Sequence, residues 1–462
     1  MEPPHPPPPT VWFRQRLARH VSEVLRLSWP VIVSRSSLMT MALVDTIMVG
    51  HYATRELAYL SIGIMPFMPV FLIMLGMVMG TVVMTSAALG AERFTDCGAA
   101  WRRALPYSVL LGVLGLSVSV FGKELLLLSG QTEDLASHGG RIMFILGLGL
   151  PAYLLTVTSS LFLEGIKRPK PAMVTMVIAN FFNVGLDWVL IYGHLGMPAM
   201  GAEGSAITSA LLRWIIAATV ITYIWNMDDH QKYGVRLSPV GGWRSWAEQR
   251  RIGYSSAVSI GGESVSFAII GLFAGWLGTV PLAAYSITQN LLSMAFMVSL
   301  GVGSATVVRV SIARGRSDRA DLQLAGWTGL GVNTVFMGLV GLVFVAVPGL
   351  LASIYTGDHA VVVIAVSLIS FVGVVIVADG GQAVMVNALR GSGGIWSPAA
   401  IQSFAYVVVM IPLGWYLGIH RGVGAMGLYQ AVLIASLVSL MLLSGRFYWV
   451  AHQEMDGGPE NG

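Results

Sequence analysis

The chain has 462 residues, of which 55% are apolar and only 11% are charged. Soluble domains usually have about 25% charged residues, so this composition excludes an ordinary soluble protein and indicates a polytopic membrane protein. The net charge of +4 says little by itself, and the single cysteine, Cys97, excludes an intramolecular disulfide.

The N-terminal segment, residues 1–23, begins with a proline-rich run, and we expect it to be disordered. Apolar runs follow, each long enough to cross a bilayer as a helix. They lie at 24–50, 56–89, 99–121, 134–165, 170–193, 202–226, 250–278, 281–312, 320–350, 360–389, 396–419 and 423–450. The sequence therefore predicts an all-α polytopic membrane protein with twelve transmembrane helices.

These spans divide the chain into predicted domains. The first six spans form an N-lobe over residues 24–226, and the last six form a C-lobe over residues 250–450. A cytoplasmic linker loop at 227–249 joins the lobes, and a polar C-terminal tail covers residues 451–462.

The basic residues between the spans predict the orientation of the chain. If the connections alternate between the two sides, one side receives only Arg55, Lys123, Arg141 and Arg421, and the other receives most of the 27 Lys and Arg residues. Because positively charged loops stay in the cytoplasm, we expect both termini to be cytoplasmic and the protein to lie in the cell (inner) membrane. We expect the basic clusters to contact anionic lipids rather than nucleic acid.

The chain also contains an internal repeat. The stretch GHYATRELAYLSI at 50–62 aligns with GWLGTVPLAAYSI at 275–287, and LEGIKRPKPA at 163–172 aligns with LRGSGGIWSPA at 389–399. Two parallel six-helix repeats are typical of secondary transporters that work by alternating access. No GxxxxGK[ST] motif occurs, so we expect an ion gradient rather than ATP to supply the driving force, with no organic cofactor.

Several polar residues interrupt the spans of the N-lobe. Asp45 lies within the first span, and acids inside a membrane usually face a protein interior or a water-filled cavity. Asn180, Asn183 and Asp187 share one helix face in the fifth span, and Thr208 lies in the sixth. Hard cations prefer such oxygen ligands, which predicts a Na⁺ site at Asp45, Asn183, Asp187 and Thr208. A proton shared between the two carboxylates is the alternative, and the spacing does not decide between them.

The C-lobe has acids of its own. Glu263 lies in the seventh span, and Asp379 and Gln382 share a face of the tenth. Two acids facing a cleft would attract cationic substrates or a coupling cation. The alternative is a structural salt bridge from one of these acids to Arg213 or Arg390.

The motifs resemble those of the multidrug and toxic compound extrusion (MATE) family, in particular its NorM-like branch. The resemblance extends from about residue 25 to residue 449. Its most specific segments are VDTIMVG (44–50), LFLEGIKRPKPAM (161–173), NFFNVGLDWVLIYG (180–193), GAEGSAITSAL (201–211) and GGES (261–264). It implies two pseudo-symmetric six-helix bundles around a V-shaped cleft.

The resemblance also implies roles for individual residues. Asp45 resembles the family acid that is central to cation coupling, and Asn180, Asn183, Asp187 and Thr208 match its partners. In the C-lobe, Glu263 and Asp379 match acids of the family that are implicated in cation or substrate binding. Arg35 departs from the pattern, because an uncharged residue is expected there, and it could pair with Asp45 or another acid.

We therefore expect a monomeric secondary antiporter that exports cationic or amphipathic xenobiotics in exchange for Na⁺ or H⁺ by a rocker-switch mechanism. The alternative within the superfamily is a lipid-linked precursor flippase, although such relatives resemble this chain less because they usually have fourteen spans and a cationic cavity. An intramembrane enzyme or receptor is a poorer fit, because the sequence has no HExxH or similar motif and the repeat would go unexplained.

Overall fold

The computed structural model describes residues 9–238 and 241–453, and within these ranges the chain is helical and has no strand. The first eight residues of the predicted disordered segment lie outside the described residues, as do residues 454–462 of the predicted tail.

The first half of the chain forms ten α-helices. They are α1 (Pro9–Tyr52), α2 (Thr54–Ile64), α3 (Phe67–Val78), α4 (Gly80–Gly90), α5 (Phe94–Val120), α6 (Gly122–Leu128), α7 (Glu133–Leu148), α8 (Leu150–Gly165), α9 (Lys170–Tyr192) and α10 (Gly201–Asn226).

The second half begins with a short 3₁₀ helix at Trp243–Trp246 and continues with α11 (Ala247–Trp276), α12 (Thr279–Gly315), α13 (Arg319–Ala346), α14 (Pro348–Ser353), α15 (His359–Gly391), α16 (Ser397–Ser403), α17 (Ile411–Gly414) and α18 (Ala425–Gln453). Two π-helical segments, Phe404–Met410 and Trp415–His420, flank α17.

Eleven of the described helical stretches are long and apolar enough to cross a membrane. The pair α7 and α8, bent by 42° at Gly149, supplies a twelfth if it is one span. Pro151 lies two residues after Gly149, and because proline has no backbone N–H, one carbonyl of the preceding turn loses its helical hydrogen bond. The predicted all-α arrangement of spans is therefore confirmed.

The first helix is longer than the sequence predicts. The expectation of disorder over 1–23 is wrong for residues 9–23, which form the first part of α1. His20 is fully buried and contacts Asp321 at 3.0 Å, and Arg19 contacts the same carboxylate at 2.6 Å. These charged contacts hold the helix against the start of α13, a nonlocal interaction that composition does not report.

The described chain divides into two compact units. Residues 33–264 form the N-terminal unit, and residues 265 onward, together with those up to 32, form the C-terminal unit. The boundaries fall inside α1 and α11 rather than in the predicted linker. Each of these two long helices therefore contributes its N-terminal part to one unit and its C-terminal part to the other.

Close packing explains where these helix segments belong. A Cβ atom at Gly76 of α3 would lie 2.6 Å from the Cα of Ala257 in α11. The equivalent pair 225 residues away is Gly301 of α12 and Ile32 of α1, where the Cβ would lie 2.3 Å from the isoleucine side chain. In both units, glycine lets the long helix approach its neighbour closely.

The turns confirm the internal repeat. Glu92 and Ser317, which are 225 residues apart, both have a positive φ, of 60° and 56°. Lys167 and Gly393 occupy a second equivalent pair of turns with φ of 62° and 101°. Left-handed backbone is uncommon outside glycine, so its recurrence at the same helix ends in each half indicates a common local fold.

A buried hydrogen bond recurs as well. In the N-terminal unit the Ser86 hydroxyl donates to the Gly165 carbonyl at 3.4 Å, and in the C-terminal unit the Ser311 hydroxyl donates to the Gly391 carbonyl at 3.4 Å. The repeat therefore extends from the sequence to individual contacts.

Candidate functional site

The N-terminal unit brings Asp45 of α1 against polar residues of α9 and α10. The Asn183 side-chain amide donates to Oδ1 of Asp45 at 2.9 Å, and the Ser209 hydroxyl donates to Oδ2 at 2.9 Å. All three side chains are buried. The unusual intramembrane acid of the first span therefore belongs to a protein-enclosed polar cluster.

A second carboxylate joins this cluster through the same amide. Nδ2 of Asn183 also donates to Oδ2 of Asp187 at 3.4 Å. One amide thus lies between two carboxylates, and both Asn183 and Asp187 are fully buried. Oδ1 of Asn183 and Oδ1 of Asp187 have no hydrogen-bond partner among the described residues. Buried oxygens are rarely left without a hydrogen-bond partner. These two oxygens, one amide and one carboxylate, lie in a cluster with two acids and could accept a cation or a proton.

The other two predicted members of the site occupy different positions. Thr208 is fully buried beside Asp187, and its hydroxyl donates to the Gly204 carbonyl at 3.1 Å. The Asn180 amide donates to the Met176 carbonyl at 2.9 Å rather than to an acid. We therefore describe Asp45, Asn183, Asp187, Thr208 and Ser209 as the N-terminal acid cluster.

Two contacts position the helices that carry this cluster. A Cβ at Gly204 of α10 would lie 2.7 Å from the Leu190 carbonyl oxygen of α9, so glycine permits the close approach that brings Thr208 to Asp187. The Tyr192 hydroxyl donates to the Met48 carbonyl at 2.9 Å and holds α9 against α1 one turn beyond Asp45.

The two arginines within predicted spans have partners in the N-terminal unit. Arg35 lies 3.9 Å from the Glu164 carboxylate, so it pairs with another acid rather than with Asp45. Arg213 donates to the Leu146 carbonyl at 3.3 Å, and its guanidinium lies 5.7 Å from the Tyr153 ring centroid.

The C-terminal unit holds Asp379 in a separate polar cluster. Its Oδ1 accepts hydrogen bonds from the Tyr406 hydroxyl at 2.9 Å and the Ser436 hydroxyl at 3.0 Å, and all three side chains are buried. Tyr406 belongs to the first π-helical segment. Such segments often occur at functional sites, because the wider turn changes the direction of side chains.

The remaining predicted C-lobe residues, Gln382 and Glu263, lie on α15 and α11. Gln382 accepts a hydrogen bond from the Gln402 amide at 2.8 Å, one turn along α15 from Asp379. Glu263 is half-buried on α11 in the N-terminal unit. The boundary between the two units falls directly after Ser264, and the predicted grouping of Glu263 with Asp379 stays a prediction.

Sequence reasoning missed the hydroxyl donors of both clusters. Ser209 directly follows the predicted Thr208, while Tyr406 and Ser436 lie in mostly apolar runs. Hydroxyl residues are common in membrane helices, and only the helix packing shows which of them meets an acid. The intramembrane carboxylates were the signal from which these partners could have been sought.

A family model described as MatE matches residues 30–189 and again residues 256–416, which together exceed half of the chain. The chain belongs to the MatE family. The resemblance stated from the motifs is confirmed, and one match in each half agrees with the internal repeat.

The similarity of this MatE protein to its relatives extends over nearly its whole length. It is 34% identical over 426 residues to a probable multidrug resistance protein NorM of Caulobacter vibrioides, with 92% of this chain and 90% of that protein covered. It is 30% identical over 445 residues to a multidrug resistance protein NorM of Burkholderia vietnamiensis, with 94% of each covered.

Solved structures confirm the fold. The crystal structure of a eukaryotic MATE transporter matches with a TM-score of 0.86 at 19% identity, covering 96% of this chain and 99% of that one. An outward-facing multidrug resistance MATE family transporter matches with a TM-score of 0.86 at 18% identity, covering 94% and 97%. This MatE protein is therefore an integral, multi-pass membrane transporter and not an enzyme.

Proposed function

We propose that this MatE protein is a multidrug efflux antiporter that exports cationic or amphipathic compounds in exchange for Na⁺ or H⁺. The N-terminal acid cluster carries the proposal. It would hold the coupling cation, with Asp45 and Asp187 supplying negative charge. The names of the NorM relatives, which refer to multidrug resistance, support the substrate class.

The chemistry of the cluster supports cation binding. Two buried carboxylates close to one another repel, and burial adds a desolvation cost to each. The Asn183 amide offsets part of this cost by donating to both acids. A cation would offset the rest, because it neutralises charge between the carboxylates. The cluster therefore favours an occupied state over an empty, doubly ionised one.

The donor set fits either coupling ion. For Na⁺, the ligands would be the carboxylates of Asp45 and Asp187, the Asn183 carbonyl oxygen and the Thr208 hydroxyl, all of them hard oxygen donors. For H⁺, the two acids would share a proton. The same residues thus couple transport in both cases, and the ion is identified by which gradient drives it.

Coupling requires the ion to bind two conformations of the transporter unequally. In the proposed cycle, the cation enters the N-terminal acid cluster from outside and stabilises one conformation. That conformation binds the drug more weakly, so the drug is released outward. Rocker-switch alternating access then returns the drug-free transporter with the ion still bound, and the ion is released to the cytoplasm.

The acids of the two units also suit cationic substrates. Asp379 and Glu263 add negative charge within membrane-spanning helices, and clefts lined by one sign of charge concentrate ligands of the opposite sign. We propose that they contribute to cation or substrate binding together with Gln382. The protein would act as a monomer in the cell (inner) membrane, with lipid neighbours and both termini in the cytoplasm.

Efflux of a cationic dye from proteoliposomes tests this function. Purified protein is reconstituted, loaded with dye and given either a Na⁺ gradient or a pH gradient, with protein-free liposomes as the control. We expect one gradient to accelerate efflux several-fold and the other to have little effect. If neither gradient moves dye in protein that folds correctly, the antiporter proposal fails and the lipid-linked precursor flippase takes its place.

A further inference from the structure

Arg35 lies within the membrane-spanning helix α1, and its side chain makes few polar contacts with the described residues. Its one charged contact among the described residues is the Glu164 carboxylate, 3.9 Å from Nη2, and it donates no hydrogen bond to any of them. The Arg35 side chain is 19% exposed, and that of Glu164 is 7% exposed. The ion pair is therefore long, and most N–H donors of the Arg35 guanidinium have no hydrogen-bond partner among the described residues.

Arg213, in the same unit, is satisfied in a way that Arg35 is not. It donates to the Leu146 carbonyl at 3.3 Å and lies over the Tyr153 ring at 5.7 Å. These contacts are those of a structural arginine. Arg213 thus has a backbone hydrogen bond and an aromatic ring as partners, whereas Arg35 has only the Glu164 carboxylate at 3.9 Å.

The unused donors indicate what Arg35 would bind. A guanidinium presents five N–H donors in a planar fork that matches a carboxylate with two parallel hydrogen bonds. Charged side chains within a membrane face a protein interior or water rather than lipid, because exposure to hydrocarbon is costly. The exposed fraction of Arg35 is thus expected to border an aqueous space, where an anionic group can reach it.

The position of Glu164 places the pair near the C-terminal end of α8. Glu164 is the second-to-last residue of α8, and the basic stretch at residues 167–170 follows immediately. In the proposed orientation this end is cytoplasmic, which is the side from which an exported compound arrives. A group here would meet a substrate that enters from the cytoplasm.

We propose that Arg35 is a specificity-determining residue that binds the carboxylate of substrates that carry one. Glu164 serves as its counter-ion when no such substrate is present. The inference rests on the proposed export function and deepens it, because it assigns recognition of zwitterionic amphipathic compounds to one side chain. Purely cationic compounds do not need Arg35.

Two dyes that differ only at one carboxyl group test this assignment. One is a cationic xanthene dye with a free carboxylate, and the other is its methyl ester. Their binding to purified protein is measured by fluorescence polarisation, and their efflux is measured in neutral phosphatidylcholine vesicles. The variants are Arg35→Gln, Arg35→Lys and Glu164→Gln, with Arg35→Lys keeping the charge but not the planar fork.

Arg35→Gln should weaken binding and efflux of the carboxylate dye about tenfold or more, the effect of losing one charge-assisted hydrogen bond, and should change the ester less than twofold. Arg35→Lys should give an intermediate loss. Glu164→Gln should favour the carboxylate dye, because it removes the competing carboxylate.

Two results would overturn the inference. If Arg35→Gln binds and moves both dyes as wild type does, Arg35 does not bind the substrate carboxylate. If Arg35→Gln loses binding and efflux of both dyes equally, Arg35 stabilises the fold or contacts lipid phosphate instead. The failure of the proposed function would look different, since wild-type protein would then move neither dye under either gradient. Transport of the ester by wild type and by Arg35→Gln separates the two cases.

Discussion

The amide between the two carboxylates gives the sharpest structural prediction. Replacing Asn183 by leucine, which has a similar volume, removes the donor to Asp45 at 2.9 Å and the donor to Asp187 at 3.4 Å. Hydrogen bonds to charged groups contribute about 1.5–3 kcal/mol each, and the longer one contributes less. We therefore expect Asn183→Leu to lower the free energy of unfolding by about 2–4 kcal/mol.

Asn180→Leu is the matched control. It removes the same chemical group from the same helix face one turn earlier, but the lost hydrogen bond is only to the Met176 carbonyl. A neutral hydrogen bond to a backbone oxygen contributes about 1 kcal/mol or less. The control variant should therefore resemble wild type much more closely than Asn183→Leu does.

Thermal unfolding of the purified protein in detergent, at low Na⁺ and neutral pH, measures the difference. Asn183→Leu should unfold several degrees below Asn180→Leu, and only Asn183→Leu should lose gradient-driven efflux. Equal midpoints for the two variants would refute the reasoning, because they would show that the amide does not offset repulsion between the carboxylates.

Two further predictions concern packing and buried charge. Gly204→Ala should destabilise the protein by about 1–3 kcal/mol because its Cβ would meet the Leu190 carbonyl at 2.7 Å, whereas Gly185→Ala, which has open space, should not lower the thermal midpoint. Asp321→Asn should cost about 3 kcal/mol, the lower end for a broken buried ion pair, because buried Arg309 loses this acid but keeps Glu23, while Glu133→Gln, at an exposed pair, should cost less than about 1 kcal/mol in chemical denaturation. The account would be contradicted if Gly185→Ala lost as much stability as Gly204→Ala, or if Glu133→Gln lost as much as Asp321→Asn.

Local sequence features were enough to predict part of this molecule. The twelve spans follow from apolar length, which is a local property, and the repeat follows from matched motifs. The contact of Asn183 with Asp187 follows from their spacing on one helix, and the charge of Asp45 within a span indicated an enclosed partner. Each of these features can be recognised in a short stretch of sequence, or, for the repeat, by comparing two short stretches.

Features that depend on distant packing were not predictable. The N-terminal part of α1 is helical because its charged residues meet α13, about 300 residues away. Glu263 belongs to the N-terminal unit because the start of α11 packs there. Ser209 and Tyr406 meet acids only because their helices are rotated toward them. None of these outcomes leaves a periodic signal in the sequence.

The central claim is that Asp45 and its partners carry the coupling cation. The most direct measurement is gradient-driven dye efflux by wild type, Asp45→Asn and Asp134→Asn in matched proteoliposomes. Asp134 is an exposed acid of the same unit, paired with Arg55, and serves as the control. The account predicts that Asp45→Asn binds dye but no longer responds to the driving gradient, while Asp134→Asn behaves as wild type. Undiminished gradient-driven efflux by Asp45→Asn would contradict it.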